Sequence, residues 1–269
     1  MLDQITPLVL TFNEAPNIGR SLQRLTWAKE VVVMDSFSSD DTLAIARSFP
    51  NVRVVQRAFD TFAEQCNFGL DQIQTPWVLS LDADYILSEE LIRELAELST
   101  LNSELSTSGF SSRFRYCIHG RPLRASLYPP RTVLYRKEKA RYHNEGHGHR
   151  VQIDGPVNQL SGWIDHDDRK PLDRWFNEQL RYSAREAEHL LQTPLAELNR
   201  PDRIRRRIIF APALVFFYTL FGKGLILDGW PGWHYVLQRT VAELLLSMRL
   251  LEQKLGTKKQ KPLIDTNEH

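Results

Sequence analysis

Two carboxylates two residues apart, in Leu81-Asp82-Ala83-Asp84, are the groups in this sequence best suited to chemistry. Side chains two apart on an extended backbone point the same way. Asp82 and Asp84 can therefore hold one hard divalent cation through oxygen ligands, and such a cation can bridge the phosphates of a nucleotide. A D-x-D pair is also common in solvated turns. Its weight here comes from the apolar run Trp77-Val78-Leu79 that leads into it, a strand signal ending at Asp82. Two other apolar runs end in the same manner. Thr11-Phe12-Asn13-Glu14 follows the run from Ile5, and Asp35-Ser36 closes Val31-Val32-Val33-Met34, with Ser38, Ser39, Asp40 and Thr42 just beyond. An acid at the second position is placed to accept hydrogen bonds from a ribose or a base. Asn13, Ser38 and Ser39 read equally well as N-caps of the helices that follow.

Those three strand ends share one edge only if the strands run parallel. The intervening segments supply the crossovers: a helix with Ile18, Leu22 and Leu25 on its apolar face, a second through Ala44-Ile45-Ala46, a third strand at Val52–Val55, and a third helix from Phe62 to Ile73. Apolar strands alternating with helices predict an α/β fold with a parallel sheet covered on both faces, which binds ligands beyond the carboxyl ends of its strands. After a helix at Glu89–Leu98 the rhythm changes to short mixed strands, at Ser111–Tyr116, Thr132–Tyr135 and Val157–Ile164. A long charged helix then opens at Pro171.

The whole chain narrows the function classes. In 269 residues, 34 basic and 33 acidic side chains leave a formal net charge of +1, so the chain lacks the overall electrostatic signature of a nucleic-acid binder. Two cysteines, Cys66 and Cys117, are too few for a disulfide framework and fit a reducing compartment. The N-terminus has neither a basic region nor an apolar stretch of signal-peptide length, so a cytoplasmic chain is expected. No G-x-G-x-x-G follows the first strand, which argues against a nicotinamide-dependent dehydrogenase.

The last quarter has its own character. Arg203, Arg205, Arg206 and Arg207 precede an apolar run from Ile208 to Phe221, interrupted by Pro212 and shorter than the ~20 residues that span a bilayer. A turn, Asp228-Gly229-Trp230-Pro231-Gly232-Trp233, leads into a helix from His234 to Leu255 with Leu237, Val241, Leu244, Leu245, Met248 and Leu251 on one apolar face. A basic flank, an apolar body and clustered Trp and Tyr fit a helix pair lying in the membrane interface. A contact with a second copy of the chain, or a cap on the core, fits the same pattern.

Taken in order, Thr11-Phe12-Asn13-Glu14, Val33-Met34-Asp35-Ser36-Phe37-Ser38-Ser39-Asp40-Asp41-Thr42 and Leu81-Asp82-Ala83-Asp84 resemble glycosyltransferase family two, with its GT-A fold. Phe62-Ala63-Glu64-Gln65-Cys66-Asn67-Phe68-Gly69-Leu70 is similar to the Q-x-N-x-A-L helix of the bacterial branch that includes lipopolysaccharide-core β-glucosyltransferases. Leu227-Asp228-Gly229-Trp230-Pro231-Gly232 is similar to that branch's membrane-proximal D-G-x-x-G turn. The resemblance implies a mostly parallel, Rossmann-like GT-A sheet with flanking helices over 1–200, amphipathic helices over 201–256 and a polar tail at 257–269. It implies metal-dependent, inverting transfer of a hexose from a nucleotide sugar, UDP-linked, to a cell-envelope glycan or lipid-linked acceptor. The enzyme would sit on the inner face of the cytoplasmic membrane, touching it through residues 203–255. Thr11, Asn13, Glu14, Asp35, Gln65, Asn67 and Asp82 would line the donor site; Arg131, read from its charge alone, would meet the donor's diphosphate or an acidic acceptor. Asp84 would be the principal ligand of Mg²⁺ or Mn²⁺, with Asp82 beside it and His166 completing the coordination.

Two departures bear on the catalytic base. Tyr85 stands where relatives often carry Glu after the D-x-D pair. Relatives also often carry His-Glu shortly before an x-D-G-x-V segment; here Asp154-Gly155-Pro156-Val157 is present, but His149 falls at the position of the acid. His149 is thus the expected base, with Glu145 the alternative carboxylate; an imidazole is competent near neutral pH. The spacing of His143, His147, His149 and His166 matches no closed zinc pattern. A transferase with a polyprenyl phosphate acceptor, which needs no strong base, and a non-catalytic membrane-peripheral scaffold are the competing readings.

Overall fold

The computed structural model of the chain describes residues 2–101, 107–145 and 148–258, and at 99–101, 144–145, 148–150 and 257–258 the backbone alone. The chain forms two compact units, Met1–Pro171 and Leu172–His269. The boundary expected at residue 200 thus falls at Pro171, because the long helix that follows packs with the C-terminal helices.

The first unit begins with β1 (Ile5–Thr11), α1 (Ile18–Gln23), β2 (Val31–Asp35), α2 (Thr42–Arg47), β3 (Val52–Gln56), α3 (Phe62–Asp71) and β4 (Trp77–Asp82). It continues with β5 (Tyr85–Leu87), α4 (Glu89–Leu101), β6 (Gly109–Ile118), β7 (Arg121–Pro122), β8 (Arg131–Arg136), β9 (Ala140–Glu145), β10 (Gly148–Ile153) and β11 (Val157–His166). The main sheet runs β3-β2-β1-β4-β8-β6-β11-β5, with β7 beside β6. Its first four strands are parallel, and β8 enters antiparallel to both β4 and β6. The sheet is therefore parallel where the crossovers are helical and mixed beyond β4.

Burial explains the continuous apolar strands. Val9, Val31, Val33, Leu79 and Leu81 face one side with Ile18, Leu22, Leu91 and Leu95 of α1 and α4. Leu8, Val32, Met34 and Val78 face the other side with Ala63, Cys66 and Leu70 of α3. Each such side chain buried contributes about 1.5–3 kcal/mol relative to exposure. Helix α4 lies so close to β11 that a Cβ on Gly162 would stand 2.5 Å from the Leu91 Cα, so only glycine fits there. Strands β9 and β10 form a separate two-stranded antiparallel ladder, with Gly148 opposite Glu145 and His149 opposite Asn144.

The second unit contains α5 (Leu172–Gln192), α6 (Arg200–Arg205), α7 (Phe210–Phe217), a π-helical turn at Tyr218–Gly222, a 3-10 turn at Leu225–Asp228 and α8 (Trp230–Lys258). Its core joins Ala187 and Leu190 of α5 to Leu198 and to Leu246 and Leu250 of α8. The π turn and 3-10 turn fold the chain back so tightly that a Cβ on Gly232 would stand 1.9 Å from the Leu225 carbonyl. The stripe of α8 singled out in the sequence is its outward one: Leu237, Leu244, Met248 and Leu251 are exposed, and Tyr235, Val236, Leu246 and Leu250 are buried. No helix among the described residues is long and apolar enough to cross a membrane.

Candidate active site

The register of the parallel strands brings the three motif ends together. Thr11 pairs with Asp35 between β1 and β2, and Leu10 with Asp82 between β1 and β4. The first loops interlock. Asn13 adopts the left-handed backbone region at φ 55°, which Asn tolerates better than most residues. Its N–H donates to Ser38 Oγ (2.8 Å), and its Oδ1 accepts from the Ser39 N–H (2.7 Å). Neither Asn13 nor Ser38 or Ser39 caps a helix, as capping would require; α1 starts after Asn17 and α2 after Asp41. Their hydrogen-bonding capacity is spent in tying the β1 end to the β2 end.

Asp35 is fully buried beneath that knot. It accepts from the Ser38 N–H (3.0 Å), the Ser38 hydroxyl and Gln56 Nε2 (3.0 Å). The expected ribose- or base-reading carboxylate therefore acts first as the brace of this loop, with three of its roughly four acceptor directions taken. Thr11 Oγ1 is buried and has no hydrogen-bond partner. Phe12 and Phe37, which the sequence reading did not single out, are about half exposed on this edge and offer flat apolar faces.

Glu14 is almost wholly buried, its oxygens accepting from Asn17 Nδ2 (2.8 Å) and Lys170 Nζ (3.0 Å). Burial pushes its carboxyl up to about 7, and the Lys170 charge only partly offsets this. Lys170 belongs to a strap after β11. Asp168 accepts from Asn17 Nδ2 (2.9 Å), and Arg20 donates to Asp167 Oδ2 (2.6 Å), so the chain leaving β11 is bound to α1.

That strap matters because β11 delivers His166. Strand β5 runs antiparallel to β11, pairing Tyr85 with His166, and the Asp167 N–H donates to the Asp84 carbonyl (3.1 Å). His166 Nε2 thereby reaches Asp84 Oδ2 at 3.1 Å. Burial alone raises Asp84; the charge and hydrogen bond of His166 outweigh it and hold the carboxyl well below the usual range. Burial lowers His166, but Asp84 outweighs that and raises it above its ordinary value. The imidazole sits in an aromatic cage, with ring centroids of Tyr85, Tyr116 and Tyr128 at 5.4, 4.8 and 4.7 Å. Tyr85 is the floor of this cage. Its hydroxyl meets that of Tyr128, and Arg131 Nη1 donates to it at 3.3 Å with the guanidinium 4.7 Å above the Tyr128 ring.

The expected ligand set of Asp82, Asp84 and His166 does not converge: no group of three His, Cys, Asp or Glu side chains suited to a metal occurs among the described residues. His166 stands behind Asp84 as its hydrogen-bond partner. The chemistry of the pair nevertheless fits a cation, since the second oxygen of Asp84, Oδ1, is buried with no partner. Mg²⁺ and Mn²⁺ sites of this kind need only one or two carboxylates when waters and substrate phosphates complete the shell.

Gln65 and Asn67, on α3, have structural partners. Gln65 Nε2 donates to Ser36 Oγ (3.0 Å), and its Oε1 accepts from Arg57 Nη1 (2.8 Å). The Asn67 amide pairs in both directions with the backbone of Tyr142, giving to its carbonyl (3.1 Å) and accepting from its N–H (3.0 Å). Asn67, expected beside the donor, uses its amide to hold β9. The Tyr142 hydroxyl adds a bond to Ser80 Oγ (2.9 Å) on β4. The hairpin so held carries Glu145 and His149; their side chains, and His147 altogether, lie outside the described residues. Arg136 covers the Trp77 ring at 4.8 Å and Lys137 donates to the Ile73 carbonyl, so both serve the fold.

The family model for glycosyl transferase family 2 matches residues 8–153, from within β1 to the end of β10, and includes the strand-end motifs at 11–14, 33–42 and 81–84 and the 62–70 helix; His166 and the turn at 227–232 lie beyond it. The chain belongs to glycosyltransferase family 2. The transferase is 24% identical over 262 residues to the lipopolysaccharide core biosynthesis glycosyltransferase LpsC of Rhizobium meliloti, covering 93% of this chain and 92% of that one. It is 24% identical over 236 residues to the uncharacterized glycosyltransferase RP128 of Rickettsia prowazekii, covering 82% and 80%. Its fold matches that of the mannosyltransferase PcManGT from Pyrobaculum calidifontis in complex with GDP-Man and Mn²⁺, with a TM-score of 0.50 at 15% identity over 93% of this chain and 88% of that one. The GT-A fold is thus that of this transferase, and the match to LpsC extends into the C-terminal helices.

Proposed function

We propose that this transferase moves a hexose, with inversion, from a UDP-linked donor to a cell-envelope glycan or lipid-linked acceptor at the inner face of the cytoplasmic membrane. The observation that carries the reading is the Asp84 carboxylate, aligned by His166 through one oxygen and left with the other buried and unpartnered beyond the carboxyl end of β4. Asp84, with Asp82 and the donor's phosphates, would hold Mg²⁺ or Mn²⁺; when bound, the ion neutralises charge building on the departing diphosphate. Thr11 and the Asn13–Ser38 knot border the nucleotide, Phe12 gives its base a stacking face, and Arg131 faces the diphosphate.

Inversion requires one displacement. The acceptor hydroxyl oxygen bonds to the anomeric carbon from the side opposite the diphosphate, and the carbon–oxygen bond to the diphosphate breaks with its electron pair. The hydroxyl proton passes to a base on the β9–β10 hairpin, His149 or Glu145. Outward apolar residues of the second unit favour a peripheral membrane location, where a lipid-linked acceptor would reach the enzyme by diffusion in two dimensions.

The test is turnover of UDP-sugars by Asp84→Asn and Asp84→Ala, together with the Mn²⁺-dependent rise in melting temperature given by UDP. Loss of charge stabilisation at the diphosphate is worth several kcal/mol, so turnover falls roughly 10³-fold or more and the Mn²⁺-dependent shift disappears. Full turnover of every accepted donor by Asp84→Asn ends this reading.

A further inference from the structure

Between α5, the chain after α6 and the end of α8 lies a groove of about 460 Å³. Leu191, Ile208 and Leu250 form its apolar part, and Arg206, Gln253 and Lys254 its polar part; no carboxylate among the described residues lines it. We propose that this groove binds the phosphate of an anionic phospholipid headgroup while the outward face of α7 rests among the acyl chains. The proposal rests on the membrane-surface reading above and goes beyond it in naming the lipid chemistry and the residues that take it.

Three acids of the second unit are gathered by Arg205 rather than by Arg206. Arg205 collects the nearby acids, bonding to Glu243 (2.7 Å), Asp202 (3.1 Å) and Glu186 (3.4 Å). Arg206 is left outside that cluster. A single bond from its Nη1 to the Thr193 carbonyl (2.9 Å) steadies a guanidinium that carries five N–H donors, a fork suited to phosphate oxygens. Between Asp202 and Asp228 the sequence contains no acid at all.

The backbone at the groove is strained. Ile208 has φ 66°, a left-handed conformation costing a β-branched residue about 1–2 kcal/mol. The Ser247 hydroxyl holds its carbonyl at 2.6 Å. The turn so fixed packs Ile208 against the core of the unit and leaves Ile209 79% and Phe210 64% exposed. Leu214, Phe217 and Phe221 continue that outward face at helical spacing, and Trp230 stands beyond them 85% exposed. An apolar face this extensive beside a cationic, partly apolar groove matches a molecule with an anionic head and a hydrocarbon body. A free phosphate would have no use for Leu191 and Leu250. A second copy docked through the same face would bring like charges together across the two-fold axis.

The experiment measures partition of the full chain onto vesicles of phosphatidylcholine alone and of phosphatidylcholine mixed with phosphatidylglycerol. The variants are Lys254→Gln, Arg206→Gln with Lys254→Gln, and a charge-matched control, Lys29→Gln with Arg47→Gln. Each basic residue near an anionic surface contributes about fivefold. Lys254→Gln should lose about fivefold and the double variant about 25-fold on mixed vesicles, with neutral vesicles and the control unchanged. Equal losses in the double variant and the control overturn the proposal, as does displacement of the wild type by millimolar glycerol phosphate, which would assign the groove to a soluble phosphate. Equal wild-type partition onto both vesicle types overturns the headgroup site and leaves the membrane reading standing. No partition onto either removes both.

Discussion

Glu14 offers a direct measure of how the donor edge is built. An acid whose native pKa exceeds its unfolded value binds its proton more tightly when folded. Its stabilising contribution is complete below the unfolded value and is lost as pH rises through the native one. For Glu14 these bounds are 4.5 and about 7. Each unit is worth 1.36 kcal/mol, so ionising this carboxyl in place costs the fold about 2–3 kcal/mol between pH 5 and pH 8. Glu14→Gln removes the titration while keeping an amide oxygen for Asn17 or Lys170, and Lys170 retains Asp168 at 3.3 Å. Urea unfolding of both proteins across this range gives the answer as a difference, from which constant offsets and the other titrating groups cancel. The wild type should lose about 2–3 kcal/mol relative to Glu14→Gln by pH 8, equivalent to roughly 5–10 °C in melting temperature. Parallel stability curves for the two proteins would refute the burial argument, and with it the account of Lys170 as a partial counterweight.

Asn67→Ala leaves the N–H and carbonyl of Tyr142 without their amide partner, at about 1–3 kcal/mol for each buried group. Urea unfolding should register a loss of about 2–4 kcal/mol, and kcat should fall more than donor KM changes, since the hairpin rather than the donor contact is loosened. Gly162→Ala drives a methyl group to 2.5 Å from the Leu91 Cα and 2.6 Å from its nitrogen, where no side-chain rotation relieves it. Overpacking of this kind should cost about 1–3 kcal/mol or more, and a melting temperature within a degree of wild type would contradict the observed packing of α4 on β11.

The parallel half of the fold is readable from the chain because β1, β2 and β4 bury both faces and so appear as continuous apolar runs bounded by polar ends. The same logic locates Asp35, Asp82 and Asp84 at one edge before any coordinates are considered. It fails where the decisive pairing is non-local. Strand β5 is three residues long, and nothing near Tyr85 announces that it will pair with His166, so the Asp84–His166 contact is invisible in sequence. Asn13, Ser38 and Ser39 illustrate a different failure. Cap-type residues ahead of a helix carry the local signal of an N-cap, yet here their side chains bond to one another across two loops. On α8, a spacing of apolar residues identifies an amphipathic stripe but not which side the protein covers. Its buried side includes Glu243, which an apolar pattern excludes and which only the Arg205 bond makes tolerable.

The two-stranded ladder of β9 and β10 has a consequence for divergence within the family. Among the described residues it shares no backbone ladder with the nine-stranded sheet, and its main-chain attachment through Asn67 is to a single residue, Tyr142. A strand inserted in the main sheet cannot change length without shifting the register of its neighbours. The hairpin can lengthen, shorten or exchange its tip while the donor edge keeps its geometry. In this architecture, the portion proposed to meet the acceptor behaves as an interchangeable cassette, and grafting that hairpin between transferases with Asn at the α3 position is the natural route to exchanging acceptor preference without rebuilding donor recognition.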